Sequence, residues 1–585
     1  MSRDDRTDDT WLSDEQRAKC ARADQAEAFR SPIPTQIVSN GEYMPMPQTQ
    51  EQKRVEARTK ELADGAAGKL GISRRKFLAG TGGMAAAFLA MNEVYGRFFN
   101  VSPLEMFESE AFAATGAPRN LFVFDDQLHM VRSSILGPRV LRALAQGPTS
   151  PHSEFPANPF NPGGLLDELG SPWSNWNAAL IDDSMGPDIF HLVQFIKDLY
   201  FNSQVTTGVL SNITGFLPGF ITNGIPKNTD DAEKLEILTA AQTAAVRNFV
   251  NQISGSKRLH AHGLLYVGVG NLHNIQRQID ENKPDSWKGY CISLAAKDAD
   301  PNSLMREWRL DEDAAYQTYA LISSHQARLR RERPGFGNIC VHKGFAPVDV
   351  PADDRPERGN PDDIPDAAHD WPNLNFIIYH ACIGPVLFYS PEPIQQLLSS
   401  SPPLREGVPD IRWTTRFAML ARDLPNVYAE VGSTFASTVI AFPTVWAHLI
   451  GQLMKFMGPQ RVVFGSDSLW YGSPQWQIEA FWRFQIPAAL QARWGYKEIT
   501  EADKRHILGL NSARLYRVPS ASEATPQGAY RPVPANFESL IPASLKTRLE
   551  FPGFASDNLS KFKTRYFAEG PVPDHTRYGW IRTRL

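Results

Sequence analysis

The chain has 585 residues and a formal net charge of −4, with 42% hydrophobic and 21% charged residues. That balance suits a packed globular protein rather than a disordered one, and the mixing of acidic with basic residues gives no basic face for nucleic acid. The length allows one large domain with extensions or two to three ordinary domains, and 44 prolines with 41 glycines predict many turns and long surface loops.

Near the N-terminus stands "ISRRKFLAGTGGMAAAFLAM", in which Arg74 and Arg75 precede Phe77, Leu78 and a weakly apolar Gly/Ala-rich run to Met91. The run is shorter than the roughly 20 apolar residues of a spanning helix. It resembles a twin-arginine export signal, with Ala111 and Ala113 in an A-x-A arrangement for cleavage. The resemblance implies a leader and signal region over 1–113, cleaved near Ala113. It also implies the twin-arginine export machinery as a partner, a periplasmic or secreted protein, and no stable membrane insertion after cleavage. The polar leader before the signal is long, and Met44 or Met46 are alternative starts. Because that route carries folded proteins, it weakly favours a metal site.

Beyond residue 119, short β-rich runs alternate with helix-compatible segments. The expected strands are Leu121–Asp126, Val205–Asn212, Leu264–Val269, Trp287–Ser293, Gly337–His342, Asn375–His380, Asn426–Val431 and Arg461–Asp467. Helical spacing of apolar residues marks "DAEKLEILTAAQTAAVRNFVNQISG", "DEDAAYQTYALISSHQARLRRE" and "TVWAHLIGQLMKFMG". Continuous apolar strands indicate a parallel sheet covered on both faces. Eight of them predict an α/β fold, a (β/α)8 TIM-type barrel over 114–520. A doubly wound open sheet is the rival, but no G-x-G-x-x-G follows the first strand. Residues 130–200 read as an insertion after strand 1, lid-like or a surface decoration. The 521–585 segment, rich in proline and aromatics, reads as an extended C-terminal arm around the barrel or a partner subunit, which leaves a homodimer open. Of four cysteines, Cys291, Cys340 and Cys382 lie in apolar runs and are expected as buried free thiols.

Active sites of such barrels lie at the C-terminal ends of the strands. Four polar residues stand there: His129 just after strand 1, His342 ending strand 5, His380 ending strand 6 and Asp467 ending strand 8. Singly, each is equally at home as a hydrogen-bonded structural histidine or a helix-capping aspartate. Together they supply ligand types suited to a divalent metal such as Zn2+.

The segments "FVFDDQLHMV", "WKGYCIS", "NICVHKGF", "WPNLNFIIYHACIG", "LPNVYAEVGS", "RVVFGSDSLWYGSP" and "HILGLNSARLY" resemble, in order and spacing, the amidohydrolase superfamily over about Asn120 to Arg517. The similarity is to its amidohydrolase-related (type 2) branch, which holds hydrolases and aminocarboxymuconate-semialdehyde decarboxylase-like enzymes. It implies metal ligation by His129, His342 and Asp467, with Gln127 where the family's H-x-H pattern has a first histidine. His380 is then expected to orient or deprotonate water, or to protonate a substrate carbon, and Asp467 could also act as base. Trp470, Tyr471 and Glu430 become candidate pocket walls. The implied cofactor is a divalent metal, Zn2+ foremost and Mn2+ as an alternative, activating water for hydrolysis of a small organic substrate, such as an aromatic or unsaturated carboxylate. A nonoxidative decarboxylase or hydratase using the same site is the second reading, and a catalytically silent binding barrel the third. Gln127 is the departure: an amide oxygen suits hard cations and is a poorer zinc ligand than imidazole. By strand alternation, Asp125 and not Asp126 is expected to share the inward face with Gln127 and His129.

Overall fold

Eight short parallel strands, each paired to the next in chain order, form the centre of the computed structural model. They are β1 Phe124–Leu128, β2 Thr207–Leu210, β3 Leu259–Leu265, β4 Ser286–Tyr290, β5 Asn338–His342, β6 Asn375–Tyr379, β7 Val427–Glu430 and β8 Val462–Val463. The sheet closes where Leu128 bridges Ser468 in parallel and the Asp467 amide donates to the Gln127 carbonyl at 3.0 Å. This is the expected TIM-type barrel. The residues described are 31–35, 49–132, 191–212, 229–233, 236–291, 308–344, 356–384, 391–520 and 529–549. The centre of the expected insertion, 133–190, and the end of the expected arm, 550–585, lie outside them.

Each of the three apolar patterns contains a helix of the outer layer: Ala240–Ser254, Asp313–Leu329 and Pro443–Phe456. The first carries a Thr239/Gln242 capping box at its start and ends on Gly255 in the left-handed region, so both its boundaries are written in local chemistry. Inside the barrel, Phe124, Val209, Cys340, Ile377, Tyr379 and Val463 pack as one apolar layer. Cys291, Cys340 and Cys382 are buried free thiols.

Two expectations about the strands need correction. β3 runs over Leu259–Leu265, five residues ahead of the expected start. Its inward side carries polar His262, which interrupts the apolar run that a buried strand normally shows. The run "LLYVGV" instead continues past the sheet. In β1 the register with β2 breaks between Asp125 and Leu128, so simple alternation fails there. Asp125 does not line the pocket. Its carboxylate accepts from the Gln127 and Ser466 amides at 3.3 and 2.9 Å and ties β1 to the chain after β8.

The segment before the barrel is folded against it. The helix Thr81–Tyr95, which holds the Gly/Ala-rich run, buries Ala85, Ala86, Phe88 and Ala90. Phe88 meets Phe99 with ring centres 4.9 Å apart, and Phe99 meets Phe484 at 5.9 Å. Arg483, wholly buried, pairs with Glu105 at 2.7 Å and Glu479 at 3.0 Å, and donates to the carbonyls of Asn100 and Phe112. Among the described residues no helix is long and apolar enough to cross a membrane. At the other end of the chain, Tyr530 packs on Phe122, Arg258 donates to the Arg531 carbonyl at 2.9 Å, and Gln242 donates to the Arg548 carbonyl at 2.7 Å.

Candidate active site

Two of the site residues sit in backbone conformations that L side chains avoid. His380 follows β6 with φ 59°, continuing into Ala381 and Cys382 at 51° and 52°, and Asp467 has φ 56°. Left-handed geometry costs an L residue roughly 1–2 kcal/mol, and such strain gathers where side chains must be aimed for a task. Both residues are also fully buried.

The strand-end residues form two linked groups. In the first, Nε2 of His129 lies 3.0 Å from Oδ1 of Asp467 and 3.3 Å from Nε2 of Gln127. The Trp470 ring stands over His129 at 5.6 Å. Burial opposes charge on Asp467, yet His129 beside it, and the Ser433 hydroxyl that donates to Oδ2, hold its carboxyl below the usual range. Burial likewise makes the His129 imidazole harder to protonate. In the second group, His342 stacks on Tyr290 at 5.1 Å and 16° and meets the edge of His380 at 4.7 Å. No group of three or more His, Cys, Asp or Glu among the described residues is arranged to hold a metal ion. The structure thus brings His129 beside Asp467, and His342 beside His380 and Tyr290.

Ser433 joins the two groups. It opens the helix Gly432–Ala441 directly after β7. Its amide donates to Nδ1 of His380 at 3.2 Å, its hydroxyl to Asp467, and the Tyr471 hydroxyl donates to Ser433 Oγ at 2.7 Å. Since Nδ1 accepts, the proton of neutral His380 resides on Nε2. Burial drives the His380 pKa down to about 3, so the ring is neutral at ordinary pH. Glu430 accepts from the His380 amide through Oε2 at 2.9 Å and from the Gly432 amide through Oε1 at 2.5 Å. Burial raises the Glu430 carboxyl well above its normal range, against the opposing pull of the His380 amide that donates to it. Tyr471 therefore acts on Asp467 through Ser433, and Glu430 shapes the turn that presents His380.

Below these groups lies a further polar layer, whose His262, Ser286, Tyr379 and Tyr516 the sequence did not single out. His262 bridges the Tyr379 hydroxyl at 3.0 Å and the Ser286 hydroxyl at 2.8 Å, Tyr516 donates to Ser286 at 2.9 Å, and Tyr379 donates to the Asp126 carbonyl at 2.7 Å. The Lys288 ammonium stands 3.6 Å from the centre of the Tyr379 ring. Its charge is felt by Asp126, whose carboxyl burial raises to about 8, and by His129 and His380, whose protonation it opposes. Only the displaced position of β3 hid this layer: His260 and His262 at a spacing of two would have marked the inward face of a strand. Lys343 points the other way, into a buried pair with Asp363 at 2.8 Å.

Residues 338–518 match the amidohydrolase family model. The match takes in His342, His380, Glu430, Ser433 and Asp467. Among solved structures, the chain is similar to a 2,6-dihydroxybenzoate decarboxylase complexed with 2,6-dihydroxybenzoate, at 15% identity over 68% of this chain and 98% of that one, TM-score 0.33. It is also similar to a 5-carboxyvanillate decarboxylase from Novosphingobium aromaticivorans with bound manganese, at 12% identity over 69% and 99%, TM-score 0.35. An amidohydrolase from Bifidobacterium longum subsp. infantis gives 11% identity over 68% and 100%, TM-score 0.29. No curated protein matches the chain.

The donor chemistry at His129 fits a divalent cation. Ligand atoms around one such ion stand about 3 Å apart when each lies about 2.1 Å from it, and His129 Nε2 and Asp467 Oδ1 are 3.0 Å apart. Gln127 is the third polar side chain at that point.

Proposed function

We propose that the protein is a metal-dependent lyase that removes carbon dioxide from a small aromatic or unsaturated carboxylate. The observation that supports this over hydrolysis is the Ser433 amide on Nδ1 of His380. A hydrolase needs a base facing the attacking water, and in this tautomer the Nε2 edge of His380 is a donor. A decarboxylase needs the reverse, a proton to replace the departing carboxylate on carbon.

The chain's own residues supply that proton. His380 carries it on Nε2, and Glu430, 4.0 Å from Nδ1, holds the turn that presents the ring. As the carbon–carbon bond breaks and its electron pair stays on the ring or enol carbon, His380 passes its Nε2 proton to that carbon and regains one at the same nitrogen from water, while Nδ1 keeps the Ser433 amide. Carbon dioxide leaves, and the water that reprotonates Nε2 closes the cycle with one net proton taken from solvent. Asp467 and His129 would hold the cation, whose positive charge would polarise a substrate oxygen. Trp470 supplies an aromatic wall beside His129 for a flat substrate.

The test is incubation with a panel of hydroxylated aromatic and unsaturated carboxylates, in Mn2+ and in Zn2+, following carbon dioxide release and deuterium uptake at the decarboxylated carbon from heavy water. A panel of lactones, esters and amides is run in parallel. Carbon dioxide release with one deuterium per turnover is expected. Hydrolysis in the second panel alone assigns the barrel to the hydrolytic class, and inactivity in both with no metal bound assigns it a binding role.

A further inference from the structure

The stretch that resembles an export signal has a structural use for most of the residues that make it look like one. Ser73 caps the short helix Arg74–Leu78 by accepting from the Lys76 amide at 3.2 Å, and Arg74 pairs with Asp64 at 3.3 Å. Phe77 and Leu78 are buried against Ala63, Ala66, Ala67 and Ala86, which lie on the helices Gln50–Leu70 and Thr81–Tyr95. A Cβ on Gly82 would lie 2.7 Å from the Met106 carbonyl oxygen, and one on Gly83 2.5 Å from Leu78 Cα, so glycine is what permits this approach. Arg58 ties the two long helices together through Glu93 at 2.6 Å. At the expected cleavage point, Ala111 and Ala113 sit inside the helix Ser109–Thr115, where the Phe112 carbonyl accepts from Arg483 at 3.0 Å. A removable signal must instead leave its apolar run and its cleavage site accessible on the folded passenger.

The same contacts lead on to the barrel mouth. Arg483 ends the helix Gln475–Arg483, and the N-terminal segment grips that end through Glu105 and the carbonyls of Asn100 and Phe112. The first turn of this helix holds both flanks of Asp467. Gln477 donates to the Ser466 carbonyl at 2.8 Å, and the Trp476 indole donates to the Tyr471 carbonyl at 3.0 Å. The chain of contacts therefore runs from the N-terminal segment through one short helix to the turn that carries Asp467. We propose that residues 50–113 are a permanent layer of the working protein rather than a removable leader, and that they brace the Asp467 turn through Arg483 and its helix. A cut near Ala113 would take away Glu105 and both carbonyls. The buried Arg483 guanidinium would keep Glu479 as its remaining carboxylate partner.

The test needs no substrate and is independent of the lyase reading. The full chain with a C-terminal tag is produced in a bacterium that has the twin-arginine machinery, beside the double variant Arg74→Lys, Arg75→Lys. Both are expected in the cytoplasmic fraction, with an intact mass that includes residues 50–113. A species lacking those residues, or a periplasmic species that disappears in the double variant, overturns the proposal. Hydrogen exchange on the purified chain is the second measurement. Amides of 81–95 are expected to exchange as slowly as those of the helix Pro443–Phe456, and exchange at the rate of an unfolded chain overturns the permanent layer. The brace is read at the Asp467 and Leu469 amides, which donate to the Gln127 and His129 carbonyls. Arg483→Met is expected to speed their exchange at least tenfold while the helix Asp313–Leu329 is unchanged. Glu105→Gln, which keeps the shape and leaves Glu479 in place, is expected to speed it at least threefold and covers a methionine variant that fails to fold. Equal acceleration throughout the chain, or none at the Asp467 turn in the folded variants, overturns the brace.

Discussion

Ser433 touches both polar groups of the barrel mouth at once: its amide lies 3.2 Å from Nδ1 of His380 and its hydroxyl donates to Asp467. The two functions separate by mutation. Ser433→Ala keeps the amide, and so the His380 tautomer, but removes the hydroxyl that accepts from Tyr471 and supports Asp467. A hydrogen bond to a charged group is worth about 1.5–3 kcal/mol, so turnover is expected to fall roughly 10- to 150-fold. Nitrogen shifts of the His380 ring should still report an Nε2–H imidazole. A shift to the Nδ1–H form would break the link between this amide and the tautomer.

Ser433 also shows where sequence reading stops. His129, His342, His380 and Asp467 were visible because histidine and aspartate at strand ends are informative residue types, and the parallel strands advertise themselves by apolar runs. Ser433 is one serine among many, and its role depends on a helix starting immediately after β7 so that both its amide and its hydroxyl face inward. The same holds for Asp126, which faces inward with Phe124 two residues before it, and for His262, concealed by a strand whose inward face is polar. Side-chain type announces chemistry, whereas register, local bulges and ring planes decide which residues meet. His342, for example, stacks on Tyr290 and meets the edge of His380.

His380→Asn is the sharpest probe of the proton path. Asparagine tolerates the left-handed backbone better than other non-glycine residues, so the turn after β6 should persist and the thermal midpoint should hardly move. Proton transfer by a positioned histidine contributes about 10²–10⁴-fold, and carbon dioxide release is expected to drop by that factor with metal affinity unchanged. Full activity in a folded His380→Asn would remove His380 from the mechanism.

Arg483 locks the N-terminal segment to the barrel, and both its carboxylate partners are poorly solvated. Arg483→Met leaves Glu105 and Glu479 in the interior without their cation, an error that costs about 3–5 kcal/mol. Urea unfolding should show that loss at constant slope. A chain beginning at 114 also lacks Phe88, Phe99 and Glu105, so it is expected to be at least as unstable as Arg483→Met. If the shortened chain unfolds at the same urea concentration as the full one, the packing of 81–113 on the barrel contributes nothing.

Asp198 predicts a pH dependence away from the active site. It is buried on the helix Leu192–Tyr200, and burial raises its carboxyl to about 7 against the opposing hydrogen bonds from Asn202 and Gln194. A raised carboxyl pKa means the folded chain holds a proton that the unfolded chain has already lost. Its contribution to stability is therefore full below about pH 4, declines as pH rises towards 7, and is gone above that. Asp198→Asn removes this slope and keeps a side-chain oxygen for Gln194. The thermal midpoint of the variant relative to the parent is expected to rise between pH 4.5 and pH 8, with most of the change complete by pH 7. An unchanged difference across that range means that Asp198 is ionised in the folded protein and that its two amide partners outweigh its burial.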